Sequence, residues 1–123
     1  MIGKLRSTVL DCQEPRELAK FYAGVLGGTT SADDDEWVVL TDPAGRRIAF
    51  QRAPEHQPPH FPDPQGSQQF HLDIEVDDID EAEPKVLALG ATRVQNADED
   101  GTFRVYRDTA GHTFCLVWSE LDA

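Results

Sequence analysis

With 123 residues, 39% of them hydrophobic and 28% charged, the chain has the size of one domain, expected to span residues 1–123 without a second. Its 23 acidic residues outweigh 11 basic ones for a formal charge of −12, which opposes the phosphates of nucleic acid and the anionic face of a membrane, so neither is an expected partner. Cys12 and Cys115 belong to no closely spaced metal or redox motif, and no apolar stretch of about 7–15 residues follows Met1, so free thiols and a cytoplasmic location are expected.

Residues 5–11 are rich in Thr, Val and Leu and read as a strand, and Pro15 suits the first turn of a helix. Leu18, Phe21, Tyr22, Val25 and Leu26 recur at spacings of three and four, which places them on one helical stripe that stops at Gly27. A short edge strand at 29–31 precedes the charged turn 32–36. Two strands, 37–41 and 47–52, are joined by Asp42-Pro43-Ala44-Gly45, a turn signal that makes them a hairpin. The first module, about 4–52, therefore reads βαβββ.

Residues 53–68 hold five of the eight prolines and form a connector. Beyond it, 70–76 alternates apolar and polar, so Phe70, Leu72, Ile74 and Val76 are expected on the packed side and His71, Asp73 and Glu75 on the other. Asp78 and Glu81 resemble a capping box, and Ile79, Ala82, Val86 and Leu89 continue as a helical stripe ending at Gly90. Pro84 inside that stripe leaves two outcomes open, a kink or a later start. Strands at 92–95, 103–108 and 113–118 complete a second βαβββ module over about 69–119.

The halves also repeat in sequence. The run from Leu40 to Phe50 is echoed by Tyr106 to Leu116 at an offset of 66, and Leu26-Gly27-Gly28 by Leu89-Gly90-Ala91 at 63. Each copy is too short to bury its own apolar faces, so two copies are expected to pack around a shared cleft, where function is sought.

Three segments carry a family resemblance: residues 15–27, with Phe21-Tyr22 and Leu26-Gly27; residues 70–79, with Phe70-His71-Leu72; and Asp108-Thr109-Ala110-Gly111-His112 before the last strand. In these the chain resembles the vicinal oxygen chelate superfamily of glyoxalases, bleomycin-resistance proteins, extradiol dioxygenases and fosfomycin-resistance enzymes. The resemblance implies an α+β fold in which two tandem βαβββ modules form a cup-shaped mixed sheet with helices on the outside. It also implies a homodimer, as in the bleomycin-resistance relatives. Metal ligands of the family fall on the first and last strands of each module, which here correspond to Ser7, Ala49, His71 and Cys115. A divalent ion generally needs three or more protein ligands. Three of these positions have lost the family's ligand, Ser7 being a poor match and neither Ala49 nor Cys115 a carboxylate, so no metal and no other cofactor are expected.

If His71 faces the cup, strand parity adds Gln69, Asp73, Ser7, Val9, Ala49, Gln51, Cys115 and Val117 to the lining. Trp37, Phe61, Tyr106 and Trp118 are the aromatics able to stack on a flat ligand, and Phe61 belongs to a proline-rich connector that could fold over the mouth. The expected ligand-binding set is His71, Gln69, Asp73, Gln51, Cys115, Trp37, Phe61 and Tyr106, with no catalytic residue assigned. Cys115 reads as a small buried hydrophobe rather than a nucleophile, and Arg104 and Arg107 as solvated surface charges. A mixed lining suits a small organic ligand, cationic or planar given the acidic balance, held by burial and a few hydrogen bonds. Two alternatives remain open, a metal-dependent or His71-dependent lyase, isomerase or dioxygenase, and a dimerising module with a vestigial cup.

Overall fold

A computed structural model of the chain describes residues 1–118, so residue 119, the last of the expected second module, lies outside the described residues. The chain forms two compact units that divide between Gln57 and Pro58, inside the expected connector. The first contains β1 (Thr8–Cys12), α1 (Pro15–Leu26), β2 (Thr29–Ser31), β3 (Trp37–Thr41) and β4 (Arg47–Arg52). The second contains β5 (Leu72–Glu75), α2 (Ile79–Ala88), β6 (Thr92–Arg93), β7 (Phe103–Arg107) and β8 (Thr113–Val117). The fold is therefore α+β and built of two βαβββ modules.

Each unit holds one four-stranded mixed sheet, in the orders β1-β4-β3-β2 and β5-β8-β7-β6. In both, the first strand runs parallel to the last, and the remaining pairs are antiparallel. The repeat survives as register. Val9 and Val39 flank Ala49 in the first unit, and Asp73 and Val105 flank Cys115 in the second.

The repeated turn has a structural cause. Asp42 Oδ1 accepts hydrogen bonds from the amides of Ala44 (3.0 Å) and Arg46 (2.8 Å), and Asp108 Oδ1 from those of Ala110 (2.9 Å) and His112 (3.0 Å). Such Asx bonds close the hairpin and satisfy amides that no strand partner reaches.

Helix α1 begins with proline, carries Glu17 in its first turn and buries Pro15, Leu18, Ala19, Phe21 and Tyr22. Tyr22 stacks on Phe50 of β4 with centroids 5.8 Å apart. Helix α2 starts at its cap signal, with the Asp78 side chain accepting from the Asp80 amide, and runs on through Pro84. Proline at that point forfeits one backbone bond, to the carbonyl four residues earlier, and the helix tolerates it. No helix among the described residues is long and apolar enough to cross a membrane.

Two expectations about strand starts are corrected. The first strand begins at Thr8, leaving Leu5 89% exposed, and β5 begins at Leu72, leaving Phe70 91% exposed where the packed side was expected. The cause lies in the turn before β5. Gln69 takes φ +68° and the Phe70 amide donates to the Gln68 carbonyl, so the alternation of a strand does not extend back to Phe70.

Candidate functional site

The parallel pairing of β5 and β8 sets Asp73 directly across from Cys115. His71, two residues before Asp73, shares its side of the chain, and its Nε2 lies 3.3 Å from Asp73 Oδ1. Donor atoms of His71, Asp73 and Cys115 all lie within 4.8 Å of one another. The three differ in exposure: the His71 and Asp73 side chains are 35% and 50% accessible, whereas Cys115 is buried. Burial, followed by the negative charge and hydrogen bonding of Asp73, pushes the Cys115 thiol up to about 12. It is a neutral thiol, not an activated nucleophile.

Around Cys115 the same face is apolar. Cys115 forms a cluster with Val94 and Val105, on which Phe61, Ala97, Phe103 and Val117 pack. Phe61 reaches it because Arg107 straps the connector down. The Arg107 guanidinium donates to the carbonyls of Pro59 (3.0 Å), Phe61 (2.7 Å) and Gly111 (2.9 Å). Gly111, at φ +90°, completes the fit, since a Cβ there would lie 2.5 Å from Pro58 Cβ. Thr113 is one further member of this face. It stands two residues before Cys115 on β8. It is 2% exposed, and its hydroxyl has no hydrogen-bond partner among the described residues.

Of the residues expected to bind a ligand, the second unit thus brings together His71, Asp73, Cys115 and Phe61. Gln69 sits in the turn before β5, off the strand. Tyr106 lies on the opposite face, buried, stacked on Phe114 at 5.5 Å and donating from its hydroxyl to Glu83 of α2 at 2.7 Å. Arg104 pairs with the same Glu83 at 3.1 Å and lies over the Trp118 ring. Arg104 and Arg107 are therefore structural and not free surface charges. Trp37 and Gln51 are cross-strand neighbours in the first unit.

Sequence reasoning passed over Val105, Thr113 and the strap role of Arg107. Counting outward from the Asp108 turn would have paired Val105 with Cys115 and put Tyr106 on the far side. For Arg107 there was no local signal, because two of its acceptors lie 48 and 46 residues away in the chain.

Of the four positions that the resemblance assigns to metal ligands, two lie in each unit. Ala49 has no donor atom, and the Ser7 hydroxyl is occupied by Arg47 Nε at 3.3 Å. Asp73, which does neighbour His71 and Cys115, is not one of the four.

A family model described as a glyoxalase-like domain matches residues 7–117. No curated protein matches. Among solved structures, the chain is similar to a glyoxalase/bleomycin resistance protein/dioxygenase family enzyme from Burkholderia phytofirmans, at 19% identity, covering 93% of this chain and 97% of that one with a TM-score of 0.69. It is also similar to the genomically encoded fosfomycin resistance protein FosX from Listeria monocytogenes, at 16% identity, covering 99% and 98% with a TM-score of 0.73. A mutant of that FosX was solved with manganese and 1S,2S-dihydroxypropylphosphonic acid, and matches at 17% identity, 99% and 94% coverage and a TM-score of 0.71. Such identities speak to fold, and the family model extends from Ser7 to Val117, across both sheets, so the chain belongs to the glyoxalase-like domain family.

Proposed function

We propose that this protein binds a small organic molecule on the β5–β8 face of its second unit, with His71 and Asp73 as polar handles and Cys115, Val105 and Phe61 as the apolar seat. The observation that carries the reading is the strapped connector. Two bonds from Arg107, to the carbonyls of Pro59 and Phe61, hold an aromatic ring against an apolar floor, next to two accessible polar side chains. Apolar area supplies affinity and a few polar groups fix orientation, the usual division of labour in small-molecule sites. The net charge of −12 favours a cationic compound over an anion, and the Phe61 ring suits a planar one. Capture by burial and hydrogen bonding does not itself require a metal.

In this proposal the two modules act as one cytoplasmic glyoxalase-like domain, and two copies form a homodimer. Support for a second copy comes from Leu5 and Phe70, large apolar side chains that are almost fully exposed. Light scattering on the purified chain tests that part.

The binding itself is tested by a thermal-shift screen of cationic and planar metabolites. A ligand present at a hundred times its dissociation constant adds about 2.7 kcal/mol of stability. The shift should shrink in Phe61→Ala and His71→Ala. No shift across a broad library sinks the reading and leaves a module that serves dimerisation. The 3.3 Å approach of His71 to Asp73 favours a second reading, a lyase or isomerase with His71 as general base. Turnover of a screening hit, abolished in His71→Ala, would establish it.

A further inference from the structure

We infer that the second unit holds a site for a soft divalent cation, zinc above all, made of His71 Nε2, an Asp73 carboxylate oxygen and Cys115 Sγ. The site lies within one module and differs from the four-position arrangement of the superfamily. It stands on geometry alone and goes beyond the capture of an organic molecule.

Three observations converge. The donor atoms already lie within 4.8 Å of one another. Zinc bonds of about 2.0–2.3 Å to nitrogen, oxygen and sulfur place tetrahedral ligands roughly 3.3–3.8 Å apart, so closure by about an ångström completes the set. The motion required falls on the right residues. His71 and Asp73 are accessible and able to turn, while Cys115 is fixed in the floor between Val105 and Asp73.

The donor set also selects the ion. One sulfur, one imidazole and one carboxylate suit zinc or cobalt, whereas magnesium and manganese prefer oxygen-rich cages. Three protein ligands leave a coordination position open. Thr113 supplies an independent sign of a ligand here. Its buried hydroxyl, two residues before Cys115 on β8, has no protein partner among the described residues, and a buried polar atom ordinarily has one.

The test uses the full chain, stripped of metal and titrated with cobalt(II), followed by circular dichroism and thermal melting as checks of folding. One equivalent should produce a thiolate-to-cobalt charge-transfer band, which zinc displaces and magnesium and manganese do not. Cys115→Ser should abolish the band, and Cys12→Ser should leave it intact. Asp73→Asn and His71→Gln, at accessible positions that do not endanger folding, should weaken cobalt binding about tenfold or more. Absence of the band in the folded wild-type chain overturns the site. So does a band that follows Cys12, or cobalt affinity that both accessible variants leave unchanged.

Discussion

In the first unit Ala49 is flanked by Val9 and Val39, and in the second Cys115 holds the same place between Asp73 and Val105. Ser7, its hydroxyl taken by Arg47, stands where the second unit has His71. At three matching positions the second unit thus carries an imidazole, a carboxylate and a thiol where the first carries Ser7, Val9 and Ala49. The helix sides differ too. Helix α1 buries five residues and stacks Tyr22 on Phe50, whereas α2 buries Val86 and is tied to its sheet by Glu83, which accepts from Tyr106 and pairs with Arg104 and Arg93. Burial is non-directional and tolerates many side chains, while a polar network holds only when each partner is placed. Duplication has kept the register and the Asx turns, and left the two faces free to diverge.

The comparison is most exposed at the helix interface of the first unit. Phe50 has no accessible surface, and Phe50→Ala should cost about 3–5 kcal/mol in urea unfolding. A loss no greater than that from Val86→Ala would mean that the halves do not differ in how they hold their helices. The next largest contrast separates two glycines in matching turns. Gly45 at φ +89° and Gly111 at φ +90° share a backbone conformation, but a Cβ on Gly45 meets nothing within 4 Å while one on Gly111 meets Pro58. Gly45→Ala should cost about 1–2 kcal/mol of backbone strain, and Gly111→Ala clearly more. Equal costs would show that the connector yields freely and that Phe61 is not held.

Much of this was legible in the sequence, because the signals were local. The stripe from Leu18 to Leu26, the Asp42 and Asp108 turns and the 66-residue offset fixed both modules and the β3–β4 and β7–β8 hairpins. The parity argument placed Asp73 and Cys115 on the His71 side, and the connector pointed to Phe61. Parity failed where it was carried past a strand end, at Gln69 and Phe70, since one residue with positive φ breaks the alternation. Tyr106 was misplaced for another reason. An aromatic side chain was matched to a flat ligand before its register was counted, and its neighbour Val105, not Tyr106, pairs with Cys115. The Arg107 strap was invisible because its acceptors are backbone carbonyls, which any residue supplies.

A smaller effect should distinguish the polar fastening of α2. Burial alone would raise the Glu83 pKa, but the hydrogen bond from Tyr106 and the charges of Arg104 and Arg93 bring it below the usual 4.5. A carboxylate with a lowered folded pKa contributes stability above its unfolded value and loses it as pH falls through the folded one. Glu83→Gln should therefore cost about 1 kcal/mol near neutrality, and the gap from wild type should close in acid. A gap independent of pH would assign the helix contact to packing and remove the contrast with α1.

The smallest effect sharpens the comparison from the other side. Val9 is 43% exposed and is the counterpart of Asp73, so Val9→Asp places a carboxylate on the first unit's face without emptying a core. Its stability should stay within about 0.5 kcal/mol of wild type. It should also bring no second equivalent of cobalt, because Ala49 offers no sulfur and the Ser7 hydroxyl is held by Arg47. On the proposed site a carboxylate becomes a ligand beside the imidazole and the thiol that β5 and β8 bring to one face, and a second cobalt equivalent in Val9→Asp would show that an acidic side chain on this fold is enough.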